Sequence, residues 1–156
     1  MDIHFRKLPD QRHEILVRAR KGPEVRLTAQ PTGPTMPHDL VHAVVETALG
    51  IEDGFWGATA RGATFQGFEP IETGRHRRSG LKVLRRGGDA VLAAELSVNW
   101  AYRAWCGLPT EGRGVGRSPL TEEALARTTA PLDAAAARWT ALPPGGTLLW
   151  RWGTDH

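Results

Sequence analysis

Strand-type segments stand at the two ends of this chain and helix-type segments fill its middle. That order limits the folds open to it more than any other feature. In residues 2–8, Ile3, Phe5 and Lys7 alternate with His4, Arg6 and Leu8, and residues 13–20 carry the β-branched Ile15 and Val17. Pro9-Asp10-Gln11-Arg12 between them has turn chemistry, so the start of the chain reads as a β-hairpin, on which His4 and His13 could face each other. Residues 24–28 add a third strand after Gly22-Pro23, and residues 147–152 read as a last strand after Pro143-Pro144-Gly145-Gly146, able to pair with the hairpin. Strands, then helices, then a strand predict an α+β fold: a small antiparallel sheet, made of the N-terminal hairpin plus the C-terminal strand, packed against about four helices.

The helices carry their own punctuation. The strongest signal is Pro37 to Gly50, with Thr35 as the expected N-cap, Pro37 in the first turn, Gly50 past the end, and an apolar stripe of Leu40, Val41, Val44, Val45 and Ala48. A short helix over 54–61 follows. Asp89 is placed to cap a helix from Ala90 to Cys106, where Cys106 reads as a packed thiol beside Trp105. Thr121 or Ser118 caps a last helical stretch to about Leu142, which Pro131 either breaks or divides.

Composition sets the outer limits. The 156 residues suit one α+β domain, 1–156, within which 65–89 reads as a basic loop or flap. An apolar content of 40% supports a core, and the apolar runs are too short to span a bilayer. A net charge of +3 is too small to imply nucleic-acid binding. The single cysteine, Cys106, excludes a disulfide framework and any cysteine-built metal site. With one thiol and no basic start leading into an apolar run, the expected compartment is the cytoplasm. A metal site here must therefore be built from His and carboxylate.

One constellation fits that requirement. His38-Asp39-Leu40-Val41-His42 places two imidazoles four residues apart, about 6 Å along a helix axis and on nearly one face. Over these five residues the chain resembles the H-E-x-x-H helix of zincins, with Asp39 where that family has its general base. The shorter acid weakens the implication of proteolysis more than that of metal binding. A plain alternative is a pair of helix-surface or capping histidines, with Asp39 complementing the helix dipole. Glu46 lies two turns beyond His38, roughly 12 Å away along the axis, too far to join both histidines, which leaves it to orient a ligand or activate water. Glu95 is the expected third ligand. It falls on the face marked by Val91, Val98, Tyr102 and Trp105, where a carboxylate needs a metal, a proton or a salt bridge, for instance to Arg103. Pro37 to His42, Glu46 and the segment Gly54 to Gly57 together resemble a group of small uncharacterised bacterial proteins, over residues 37–62, which implies no particular activity.

Around this set, Trp56 could line the same cleft or pack in the core. His76, Arg77 and Arg78 on the basic stretch could contact an anionic substrate or simply be solvated. The expectation is a small metal-dependent enzyme of hydrolase type. His38, His42 and Glu95 would hold a divalent metal, zinc first, and Asp39 and Glu46 would assist. The substrate would be a small molecule or peptide, with no nucleic acid and no membrane involved. The alternatives are a non-enzymatic binding module using the basic segment 75–86 and a metal-free enzyme with a histidine general base.

Overall fold

The computed structural model describes residues 1–71, 82–83, 88–110 and 116–153. Strands β1 (Asp2–Leu8), β2 (Arg12–Arg18) and β3 (Val25–Pro31) lead into helices α1 (His38–Leu49) and α2 (Phe55–Ala60). Short strands β4 (Ala63–Thr64), β5 (Glu69–Pro70) and β6 (Lys82–Val83) follow, then α3 (Asp89–Trp105), α4 (Glu122–Ala141) and β7 (Thr147–Arg151). The fold is α+β, and the described residues form four helices and a five-stranded antiparallel sheet in the order β5-β3-β2-β1-β7. β7 pairs with β1, setting Ile3 opposite Trp150 and Phe5 opposite Leu148, so the two ends of the chain close one sheet. β4 and β6 form a separate parallel pair. Glu69 and Pro70, inside the stretch read as a loop or flap, add an edge strand to the main sheet beside Val25 and Arg26. Most of that stretch lies outside the described residues.

Alternation in the strands sends one face inward. Ile3, Phe5, Ile15, Val17, Val25 and Leu27 are buried and form one cluster with Leu40, Val41, Val44 and Val45 of α1, Val98 and Ala101 of α3, and Leu132, Ala135 and Trp139 of α4. The hairpin turns where Asp10 and Gln11 adopt left-handed backbone (φ 59° and 53°). Its register places His4 opposite Leu16 and His13 opposite Lys7, so the two histidines do not face each other.

α1 is the central helix. Every residue from Leu40 to Glu46 is buried, and the helix packs against α2, α3 and α4. Gly50 closes it in the left-handed conformation (φ 66°), as its position requires. Its other end differs from the sequence reading. Pro37, not Thr35, is the N-cap, no side chain caps the helix, and the Thr35 hydroxyl lies 3.4 Å from that of Tyr102. At α4 the cap is Thr121, which accepts from the Ala124 N–H at 3.2 Å. Pro131 neither ends nor divides α4. The buried stripe Thr128, Leu132, Ala135 and Trp139 runs past it, and packing that stripe outweighs a proline cost of roughly 3 kcal/mol. Cys106 is exposed rather than packed, because α3 ends at Trp105 and the chain turns away at Gly107 (φ 67°). Among the described residues no helix is long and apolar enough to cross a membrane.

Leu132 joins α4 to the core, with no exposed surface. Leu132→Ala is expected to destabilise the fold by about 2–5 kcal/mol, measured by urea denaturation at constant m-value.

Candidate metal centre

His38 and His42 stand on successive turns of α1, their rings edge to face with centroids 4.9 Å apart. Glu95 of α3 reaches both. Its Oε2 lies 2.8 Å from His42 Nε2 and its Oε1 3.5 Å from His38 Nε2. One donor atom from each of the three side chains falls within 4.8 Å of the others, and together they form a group able to hold a metal ion. Zinc bonds of about 2.0–2.2 Å in tetrahedral array separate donors by roughly 3.4 Å, so the three donors, already within 4.8 Å of one another, need only small side-chain adjustments to share one ion. Asn99, one turn along α3, donates its Nδ2–H to Glu95 Oε1 at 3.1 Å and steadies the carboxylate.

Behind His42 lies a second carboxylate. Glu46, one turn further along α1, is completely buried, and its Oε1 is 3.0 Å from His42 Nδ1. The same carboxylate accepts the backbone N–H of Phe55 (2.9 Å to Oε1) and of Trp56 (3.1 Å to Oε2). A carboxylate with these partners only accepts, so the proton of the His42–Glu46 bond belongs to Nδ1 and Nε2 is the atom presented to Glu95. This is the outer partner that a metal-binding histidine ordinarily has.

The charges follow from the geometry. Burial by itself lowers the His42 pKa, but hydrogen bonds to Glu46 and Glu95, and the charges of both carboxylates, raise it to about 9. Without metal, His42 is an imidazolium held between two carboxylates. Hydrogen bonds from His38 first and His42 second hold Glu95 well below the usual carboxylate range, despite its partial burial. His38 and Glu95 are open to solvent, with side chains 51% and 44% exposed, whereas His42 is 5% exposed.

The other predicted site residues fall elsewhere. Asp39 is one residue, or 100°, around α1 from His38, and its carboxylate turns toward buried His13 of β2, with Oδ2 3.6 Å from His13 Nε2. It does not join the His38–His42–Glu95 group. Trp56 has no exposed surface. Its ring packs edge-on to Phe5 and Phe55, and its Nε1–H donates to the Asp39 carbonyl at 2.9 Å. It serves the site through its backbone, not by lining a cleft with its ring. His76, Arg77 and Arg78 lie outside the described residues. Glu95 is 44% exposed and sits on the flank of α3, whose buried residues are Ala94, Val98, Trp100 and Ala101, rather than in the middle of its apolar face. Arg103 is not its partner and donates to the Pro109 carbonyl instead.

Sequence reasoning missed the backbone donors at Phe55 and Trp56, because an N–H group is common to almost every residue. The one hint lay in Gly54, directly before them. The sequence also gave no sign of the aromatic contacts beside the site, in which Phe55 lies 5.7 Å from the His42 ring and stacks on Phe65 at 4.4 Å. No protein-family model, no curated protein and no solved structure matches this chain.

The shifts predict how the metal-free protein responds to pH. His42 is raised from 6.5 to about 9, so its stabilising contribution is complete below about pH 6.5 and disappears as pH rises through about 9. Glu95 is lowered from 4.5, so its contribution is complete above about pH 4.5 and is lost on acidification toward its folded-state value. Chelator-treated protein should therefore show a Tm plateau between about pH 4.5 and 6.5 and a decline toward pH 9. In Glu95→Gln the alkaline decline should be shallower, as scanning calorimetry across this range would show.

Proposed function

We propose that this protein is a small metal-dependent enzyme in which His38, His42 and Glu95 hold a divalent cation, zinc first, and that its chemistry is hydrolysis of a small-molecule or peptide substrate. The observation that carries the reading is the convergence of two imidazoles from α1 and one carboxylate from α3, with Glu46 already bound to the far nitrogen of His42. The donor set suits the ion. Two nitrogens and an oxygen match zinc and other first-row divalent cations better than calcium or magnesium, which prefer oxygen. A structural zinc site is closed by four protein ligands, whereas three ligands with exposed His38 and Glu95 leave room for water and substrate.

When bound, such a cation supplies Lewis acidity and lowers the pKa of water toward neutrality. The chain's own residues do the rest. Glu46 keeps the His42 proton on Nδ1 and thereby frees Nε2. Asn99 holds Glu95 in place from one side. Asp39 directs its carboxylate toward His13 and is not part of the His38–His42–Glu95 group, so it is not placed as the base of a zincin-like mechanism. In the metal-free alternative, with His38 or His42 as general base, His42 is disfavoured for that role, because a group raised to about 9 is already protonated at neutral pH.

Metal content decides between these readings. Protein purified without a histidine tag should carry close to one equivalent of metal by elemental analysis, and His42→Ala should lose it while keeping its circular dichroism spectrum. Restoring zinc at 100 times its Kd should stabilise the apo protein by about 2.7 kcal/mol. Wild-type protein that holds no metal, and whose Tm is unmoved by zinc, cobalt, nickel, manganese or ferrous iron, would overturn the proposal.

A further inference from the structure

Gly54 lies against Glu46 more closely than any side chain could. A Cβ built on Gly54 would come within 2.5 Å of Glu46 Cδ and Oε2 and within 2.8 Å of Oε1. The position is otherwise undemanding. Its φ of −70° and ψ of −164° are extended backbone that alanine adopts freely, so glycine is needed here for space and not for conformation. The next two residues are the ones whose N–H groups grip the carboxylate, one on each oxygen. Trp56 anchors that segment to α1, through its Nε1–H to the Asp39 carbonyl, and to the sheet, through its packing on Phe5 of β1. The spacing Glu46–Gly54-Phe55-Trp56 thus builds a pocket for one carboxylate beside the far nitrogen of His42.

We propose that Gly54, with the backbone N–H groups of Phe55 and Trp56, is a positioning element of the metal centre: it seats the Glu46 carboxylate so that His42 carries its proton on Nδ1 and presents Nε2 as the ligand. The inference rests on the metal reading for its consequence, but the seating of Glu46 is a separate property that can be measured without metal. Gly54 touches neither metal nor substrate and acts only through Glu46. Alanine at this position displaces the carboxylate, leaves His42 Nδ1 without its acceptor, and lets the ring exchange tautomers or turn.

The test is a double-mutant cycle read by metal binding. Cobalt(II) titration, followed by its visible absorption bands, is performed on wild type, Gly54→Ala, Glu46→Gln and the double variant. Each single change is expected to weaken cobalt binding about 10–100-fold, the usual range for removing an outer partner of a ligand. The double variant should bind no more weakly than the poorer single one, because both act on one interaction. Affinity unchanged in a folded Gly54→Ala protein, or losses that add in the double variant, would overturn the proposal. If the wild type binds no cobalt, the metal reading fails on its own, and imidazole 15N NMR above pH 9 still reads the seating. A Nδ1–H tautomer at His42 in wild type that becomes mixed in Gly54→Ala supports it, and the same tautomer in both refutes it. Should Gly54→Ala not fold, Glu46→Gln keeps the size of the side chain and reads the same step, with unchanged affinity and tautomer counting against the proposal.

Discussion

A fully buried carboxylate is the group on which the rest of this structure depends. Removing Glu46 from water costs several kcal/mol unless donors replace the solvent, and three do: the His42 ring and two successive backbone N–H groups. Meeting that demand fixes more than one side chain. It ties the start of α2 to α1, brings Gly54 hard against the carboxylate, and holds the ring of His42, whose other nitrogen faces Glu95 of α3. Glu95 completes the line on the far side, so the polar sequence Glu46–His42–Glu95 runs from the core to the surface. Loss of any member leaves a buried group without its partner, which gives the line a mechanical as well as a chemical role.

The placement of the ligands follows from the position of α1. A helix buried from Leu40 to Glu46 has almost no solvent face, and the histidines lie where it emerges at its N-terminal end. His38 is in the first turn and half exposed, and His42 is one turn deeper and nearly closed off. α3 packs along α1 and supplies Glu95 from its flank, while Val98 and Ala101 hold the helix on the core. The site is thus built across two rigid helices, which hold donor geometry better than loops do. The sheet is the platform beneath, with Phe5 on Trp56 linking it to the segment that grips Glu46.

Much of this was legible in the residues. The hairpin, the closing strand and the four helices announce themselves by period and turn residues, because these are local preferences, but of the expected side-chain caps only that of α4 holds: α3 begins at Asp89 with Gly88 as its N-cap and no capping side chain. The His38–His42 pair follows from helical spacing alone, and Glu95 from the cost of placing a carboxylate near an apolar face. The failures share one cause. The cap at Thr35, the break at Pro131 and the packed thiol at Cys106 were local inferences that tertiary contacts overrode: a hydroxyl reached Tyr102, a buried stripe ran past a proline, and a chain turn left a thiol outside. Asp39 fell to the same limit, since a motif of adjacent residues does not say which neighbour across the fold will claim each one.

The class of fold and the chemistry open to a metal site are written in the residues, since one cysteine and one well-spaced histidine pair leave His and carboxylate as the ligands. The roles of the individual side chains come from packing. Glu46, too far along the helix from His38 to share a metal with both histidines, is one turn from His42 and binds the nitrogen that a metal would not use. Its other partners lie nine and ten residues away and contribute backbone atoms, which no residue type announces. A buried charge is stabilised by whatever donors the fold brings to it, and that is a property of three-dimensional proximity rather than of order along the chain.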